Sequence, residues 1–460
     1  MTLACSTSIR LAQNALLRAY GGRVPRYTSY PPATQFSADI DADVYGAWLG
    51  AMPSHAPVSL YVHVPYCRRL CWFCGCHSRV VRHAESVRAY VESLRDEIAL
   101  IEARLPCKLK AGHVHLGGGT PNLLSVDDLR VMFETIRQVF RVPLGAEISA
   151  EIDPLHLTED WVRAARFHGL TRASLGVQDL SPDVQAAVNR HESIEVVADA
   201  VRLLRRSGIA SLNFDLMYGL PRQSTADVLA TIEQILPLAP DRLALFGYAH
   251  VPWMKAHQKL IVESELPGAQ ARLDQSEGAA ERLIAAGYRR IGIDHFALPD
   301  DSLAHAAADG NLTRGFQGYS GGGTQTLIGI GVSAISRLPQ GFAQNRVDEL
   351  AWRADLARGR LPTARGIALS DQDRLRAEII GRLMCDFSVD LAAVARDHGQ
   401  TLAVLCEPLA RIDGFVRDGV VRRDGARLTV TAPGRPFVRT VAAAFDDYLI
   451  PTATRHAVAV

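Results

Sequence analysis

Short apolar runs alternate with longer amphipathic stretches from about Ser59 onward. The clearest amphipathic stretch is Ala84 to Leu105. Val87, Val91, Leu94, Ile98, Ile101 and Leu105 recur there at steps of three and four, which puts one apolar face on a helix. The short runs predict strands. The first, Tyr61-Val62-His63-Val64, is stopped by Pro65. The others are His113–Leu116, Glu147–Ile152, Arg172–Val177, Ser211–Met217 and Arg242–Gly247. A helix is predicted from about Val126, and another after Ser181-Pro182-Asp183, with serine as N-cap and proline in the first helical position. Six strand-plus-loop units follow one another, and strands alternating with helices argue for a parallel sheet. Six units are too few for an eightfold barrel. The pattern predicts a partial (β/α)6 barrel, open on one side to admit a large substrate.

Beyond Arg365 the rhythm changes. Ser370–Phe387 and Leu391–His398 look helical, Asp413–Thr431 holds two strand-like runs around Arg423-Asp424-Gly425, and Gly434–Leu449 predicts a closing helix. The chain therefore divides into an N-terminal arm (1–57), a catalytic barrel with its extension (58–364) and a small, mainly helical, winged-helix-like domain (365–460). Such a shape carries no functional warrant of its own.

Composition narrows the class. The 460 residues are 48% hydrophobic and 22% charged, enough for a large core. Fifty Lys and Arg balance 49 Asp and Glu, and no basic tract points to nucleic acid or an anionic membrane. There is no apolar run long enough for a transmembrane helix, and Met1 to Gly22 lacks the order of a secretory signal. The expected location is the cytoplasm.

The chemistry concentrates in Cys67-Arg68-Arg69-Leu70-Cys71-Trp72-Phe73-Cys74-Gly75-Cys76. Cys67, Cys71 and Cys74 are spaced C-x3-C-x2-C, which suits a loop wrapped round three corners of an iron–sulfur cube. Three close ligands leave one iron open to chemistry. Zinc is the competing reading, with His77 completing a compact knot, but no second ligand pair follows downstream. Paired disulfides within ten residues would be strained. Cys5, Cys107, Cys385 and Cys406 are scattered and are expected to be small buried apolar groups.

Polar residues gather at the strand ends. Gly117-Gly118-Gly119-Thr120 is either a tight turn or, one strand after the cysteines, a cradle for a nucleoside or amino acid. Glu151, Gln178 and Asp215 recur at or near the ends of successive strands. Singly each reads as a satisfied rim residue; together they suit a ligand with hydroxyls and an amine. Arg190, placed in a helix, has as its plain reading a solvated charge.

With these residues in place, the chain resembles the radical S-adenosylmethionine (SAM) superfamily, and within it the oxygen-independent coproporphyrinogen III oxidases (dehydrogenases). Cys74-Gly75-Cys76 carries the narrower resemblance, as do Pro25-Arg26-Tyr27-Thr28-Ser29-Tyr30-Pro31, Gly117–Pro121, Glu151-Ile152-Asp153-Pro154, Gly176-Val177-Gln178-Asp179, Asp215–Pro221 and Gly329–Ser336. Pro32 and Leu116 depart from the family pattern, where threonine and tryptophan are expected.

The resemblance implies a radical SAM barrel that converts two propionates of coproporphyrinogen III to vinyls, giving protoporphyrinogen IX in haem biosynthesis. A 5′-deoxyadenosyl radical from SAM takes the β-hydrogen that no side-chain base can remove at neutral pH, and the protein positions the cofactor. By the same resemblance Cys67, Cys71 and Cys74 hold a [4Fe–4S] cluster. Tyr61, Gly118, Glu151 and Ile335 line a first SAM site; Phe73, Gly119, Thr120, Gln178, Arg190, Asp215 and Ala249 line a second. Cys76 and Tyr61 are the candidate catalytic side chains, with Cys76 near the second SAM rather than on the cluster. The arm around Tyr27-Thr28-Ser29-Tyr30 is expected to cover the barrel mouth, with Arg23 and Arg26 as candidate partners of substrate carboxylates. His63, His115 and His250 are expected to orient neighbours rather than act as bases. An electron donor, an electron acceptor and a monomeric state are implied. The alternatives are a haem-handling paralogue (a haem chaperone or a haem-degrading methyltransferase) and a non-catalytic zinc-binding interaction module.

Overall fold

The computed structural model describes residues 14–321 and 326–449; Cys5, expected to be buried, lies outside them. Six parallel strands pair in chain order: β1 (Val58–Val64), β2 (Ala111–Gly118), β3 (Glu147–Ile152), β4 (Arg172–Gln178), β5 (Ser211–Tyr218) and β6 (Arg242–Gly247). Helices Ala84–Glu102, Val126–Val139, Glu159–Phe167, Ile194–Arg206 and Thr225–Ile235 fall between them, and Ala269–Ala285 follows β6. Two of these helices start on capping boxes, Ser125 with Asp128 and Ser224 with Asp227, so sequence fixes where the chain turns from loop to helix.

The strands are not uniformly apolar, and the reason explains the cavity. In β4 and β5, Ala173, Leu175, Val177, Leu212, Phe214 and Leu216 are buried in the main core. Arg172, Ser174, Gly176, Gln178, Asn213, Asp215 and Met217, on the other face, are only half-buried. A parallel sheet covered on both faces reads as a continuous apolar run. Alternation here means that the second face looks into a hollow.

The barrel strands are the middle of a wider, twelve-stranded sheet. His295–Ala297 pairs antiparallel with β6 and carries Arg289–Ile291. On the other flank Leu327–Ile330 runs parallel to β1, then Ile335–Leu338, Gly341–Asn345 and Thr363–Ala368 continue antiparallel. Glu97, buried on helix Ala84–Glu102, ties this flank down. It accepts hydrogen bonds from the Gly331 N–H, Asn345 Nδ2 and Trp352 Nε1.

The C-terminal part holds helices Asp371–Asp386, Leu391–Asp397 and Cys406–Arg417 and a three-stranded sheet of Ser388–Asp390, Arg427–Val430 and Val421–Asp424. Two expectations are corrected. Asp413–Arg417 ends a helix instead of starting a strand, because Ile412 and Phe415 share its buried face. The closing helix shrinks to Val438–Ala443. The chain leaves it where Arg376 binds the Phe445 carbonyl and Asp446 accepts from the Tyr27 hydroxyl. Cys385 is buried as expected, but Cys107 and Cys406 are exposed. No helix among the described residues is long and apolar enough to cross a membrane.

The N-terminal segment is packed against these last residues. Val24, Tyr27 and Tyr30 are buried in the C-terminal core. Arg439 donates to the Val24 and Pro25 carbonyls, and the Tyr27 hydroxyl meets Asp446 at 2.9 Å. From this anchorage Arg26 reaches the Gly247 carbonyl at the end of β6, 2.7 Å away. The chain then crosses to the outer flank, where Ser37 bridges Gly366.

Candidate active site

The cysteine loop leaves β1 and is clamped from two sides. After β4, the Val188 carbonyl accepts from the Trp72 N–H, and Asn189 Nδ2 donates to the Leu70 carbonyl. After β6, Gln258, His257 and Lys255 bind the carbonyls of Phe73, Cys74 and Cys76. The loop is thereby fixed by groups about 115 to 185 positions away, so its shape belongs to the fold and not to the motif alone.

Cys67, Cys71 and Cys74 are half-buried and Cys76 is exposed. All four line one cavity of about 860 Å³. Donors point at the three sulfurs: Thr120 Oγ1 to Cys67 at 3.4 Å, Arg190 Nη1 to Cys71 at 3.7 Å, with Ser78 Oγ 3.6 Å from Cys74. Burial pushes the Cys67 thiol up to about 11 and raises Cys71 despite Arg190. A hydrogen bond shared with Cys76 pulls Cys74 down to about 6 and raises Cys76. Among the described residues no three His, Cys, Asp or Glu groups converge to hold a single metal ion. The His77 carbonyl is engaged by His63 Nε2. Three thiols spread over one wall, each with a hydrogen-bonding partner, fit a polynuclear cluster whose sulfur ligands are tuned by such bonds.

The glycine run is a built cradle. Gly118 has φ +114°, and a Cβ there would lie 2.4 Å from the His63 ring; one on Gly119 would lie 2.6 Å from the Tyr66 carbonyl. Gly118 N–H donates to Glu151 Oε2 at 2.8 Å. Burial pushes Glu151 up, but the bonds from His115 and Gly118 prevail and hold its carboxyl below the ordinary range. Tyr61 lies beside this group: its hydroxyl meets His63 Nδ1 at 2.9 Å and its ring stacks on His115. Across the sheet Gly329 stands opposite Tyr61 and packs against the Ile335 backbone. Tyr61 and Ile335 are not on the wall of the large cavity, whereas Gly118 and Glu151 are.

Phe73, Gly119, Thr120, Gln178, Arg190, Asp215 and Ala249 all line the same cavity. Gln178 sits in a bulge at the end of β4 with φ 67°, a sparsely populated conformation that re-aims a side chain beside a site. Asp215 accepts from Ser174 Oγ and Asn213 Nδ2 at 2.9 and 2.8 Å, and burial pushes it up to about 6. Arg190 is corrected in two respects. It follows the short helix Pro182–Ala187 instead of lying within it, and it is half-buried, paired with the buried Glu192 at 2.8 Å. Its Nε is buried with no hydrogen-bond partner, beside the cavity it lines.

The three histidines are hydrogen-bonded to neighbouring groups. Burial lowers His63 to about 4, so it bridges Tyr61 and the His77 carbonyl as a neutral ring. His115 joins Ser149 and Glu151, and His250 joins the Tyr248 hydroxyl. Sequence reasoning missed a large share of the wall: Arg272 on the helix after β6, Asp294, Arg314, Phe316 and Gln317 on or beside the Leu312–Gly315/Gly318–Gly321 hairpin, and Arg439. The two-residue turn Phe316-Gln317 between glycines was a usable hairpin signal. Nothing local marked the arginines.

Residues 61–235 match the family model described as the radical SAM superfamily, and residues 369–437 that described as the HemN C-terminal domain. The oxygen-independent coproporphyrinogen III oxidase of Bradyrhizobium diazoefficiens is 48% identical over 438 residues, 95% of this chain and 97% of that protein. The protein of the same name from Paracoccus denitrificans is 43% identical over 94% of this chain and 96% of its own length. The solved structure of coproporphyrinogen III oxidase (HemN) from Escherichia coli, described as a radical SAM enzyme, superposes with a TM-score of 0.88 at 36% identity, covering 92% of this chain and 98% of that one.

Proposed function

The chain belongs to the family of oxygen-independent coproporphyrinogen III oxidases, and on that premise we propose that it oxidatively decarboxylates two propionates of coproporphyrinogen III to vinyls, releasing CO2 and protoporphyrinogen IX. The observation that carries the reading is convergence: the cysteine loop, the glycine cradle and the polar ends of β3, β4 and β5 face one cavity.

Cys67, Cys71 and Cys74 would hold a [4Fe–4S] cluster, and bound SAM would supply the hydrogen-atom abstraction. The chain's own groups do the rest. Thr120 and Arg190 polarise the ligand sulfurs. Gly118 and Glu151, with Tyr61 and Ile335 set back from the cavity wall, would form one SAM site; Phe73, Gly119, Thr120, Gln178, Arg190, Asp215 and Ala249 would line a second. The strand walls and the N-terminal segment exclude water from the reacting carbon. Cys76, exposed and on the cavity wall beside the ligand cysteines, would exchange a proton or electron there. The protein works as a cytoplasmic monomer with external electron donor and acceptor.

The test is an anaerobic assay of reconstituted protein with coproporphyrinogen III, SAM, reductant and electron acceptor. Protoporphyrin after oxidation, with stoichiometric 5′-deoxyadenosine, is expected; SAM cleavage without vinyl product would overturn the substrate.

Asp215 adds a pH dependence. Its carboxyl is held up at about 6 by burial. Below that pH it carries a proton and loses its attraction for an ammonium group. SAM affinity, measured by equilibrium dialysis from pH 5 to 8, should fall as pH drops through about 6. In Asp215→Asn the profile should be weak and flat across this window.

A further inference from the structure

The segment that leaves β6 closes on itself where it meets the cysteine loop. The Val251 carbonyl accepts from the Met254 and Lys255 N–H groups, and the Val251 N–H donates to Gln258 Oε1 at 2.6 Å. Gln258 is fully buried, and its Nε2 donates to the Phe73 carbonyl at 3.1 Å. One amide thus closes the turn and moors it to the loop. The same turn presents two more donors: Lys255 Nζ to the Cys76 carbonyl at 2.9 Å and His257 Nε2 to the Cys74 carbonyl at 2.8 Å.

Lys255 brings more than this tie requires. A neutral donor such as the Gln258 amide suffices to hold a carbonyl, whereas Lys255 adds a positive charge. Arg190, the cation at Cys71, is matched by Glu192 at 2.8 Å. Lys255, half-buried, forms no ion pair with a carboxylate among the described residues. Its charge is felt on the far side of the loop. Burial, and after it the Lys255 charge, lowers His77; His63, lowered chiefly by burial, feels the same charge. Asp153 and Glu151 place negative charge near Cys67 and Cys76, which makes a cation on this loop matter more.

A cube held by three thiolates is anionic, and an added electron makes it more so. Its potential follows net charge, hydrogen bonding and solvent exposure, and a cation close by favours the reduced state. We propose that Lys255 is a positioning residue for the cluster: held against the Cys76 carbonyl by the Val251–Gln258 turn, its ammonium raises the reduction potential and eases the uptake of one electron from the external donor. The inference rests on the cluster assignment made above and not on the identity of the porphyrin substrate.

The test is an anaerobic redox titration of the reconstituted holoenzyme, read by electron paramagnetic resonance at one near-neutral pH, with iron and sulfide content measured alongside. Lys255→Met and Lys255→Gln should both lower the midpoint potential, making the cluster roughly tenfold harder to reduce, about 59 mV for a one-electron couple. Lys255→Arg keeps the charge and should stay near wild type. Glutamine keeps a donor for the Cys76 carbonyl and loses the charge, so it separates the two roles. A Lys255→Gln potential equal to wild type would leave Lys255 a structural tie and overturn the inference. So would a Lys255→Arg potential as low as that of Lys255→Met. If Lys255→Met loses iron, the comparison of Lys255→Gln with Lys255→Arg decides alone. Wild-type protein that forms no cluster would overturn the cluster assignment and this inference with it; a wild-type cluster with unmoved variants overturns the role of Lys255 alone.

Discussion

Serine in place of Cys67, Cys71 or Cys74 is expected to abolish both cluster and turnover, while serine in place of Cys76 keeps the cluster and loses turnover. The four thiols share one loop and one cavity but not one environment. Cys67, Cys71 and Cys74 are half-buried, and each has a side-chain donor or hydroxyl within 3.4–3.7 Å of its sulfur. Cys76 is exposed, and no donor comparable to Thr120, Arg190 or Ser78 is seen on its sulfur among the described residues. A cube needs thiolate at each protein-held corner, and a serine hydroxyl in a half-buried position does not replace one. Iron and sulfide content with visible absorbance, measured anaerobically on all four variants beside the vinyl-forming assay, decides the matter. Loss of iron from Cys76→Ser would mean that the roles of the four cysteines are divided wrongly.

Arg190→Met should be the most destabilising single change near the site, by about 3–5 kcal/mol. Arg190 is half-buried, pairs with the buried Glu192, binds the Gly176 carbonyl and reaches the Cys71 sulfur. Without it the Glu192 carboxylate is buried with no cation. Burial already holds Glu192 up at about 7, and losing Arg190 raises it further. A raised carboxyl stabilises the fold only while protonated, so the penalty should be smaller at pH 5 than at pH 8. Urea unfolding of the apo-protein at the two pH values measures this. Arg190→Met combined with Glu192→Met should recover most of the loss; a double variant as unstable as the single one would refute the ion-pair account.

The six barrel strands were legible because each carries its own local marks: a β-branched or alternating run, then Gly, Pro or a polar residue where the loop begins. Glu147–Ile152 and Arg242–Gly247 form with the expected bounds. The flanking strands were hidden because runs of three to five residues, such as His295–Ala297 or Gly341–Asn345, gain their identity from the edge they add to. At the site, Cys67, Gly118, Glu151 and Asp215 were found because motif and strand end coincide. Arg190 looked like a surface charge because its partners, Glu192 excepted, come from distant segments. Arg272, Arg314 and Arg439 escaped for the same reason: each is unremarkable in its own helix or strand, and only the tertiary fold sums their charges. The alternation Arg172-Ala173-Ser174-Leu175-Gly176 held a further clue, since a parallel strand with one polar face implies a hollow behind it.

The Tyr27–Asp446 contact spans 419 positions of the chain. A ribosome adding about 5–20 residues per second needs roughly 20–80 s to make the second partner after the first. For most of that interval the cysteine loop and its β1 support have already been made, while the segment carrying Arg26 has nothing to dock on. The docking of the N-terminal segment on the C-terminal residues is therefore the last part of the enzyme to form during synthesis. The nascent chain offers its thiols through an uncovered mouth long before it can retain a macrocycle, an order that would favour loading the cluster before any porphyrinogen competes for the space.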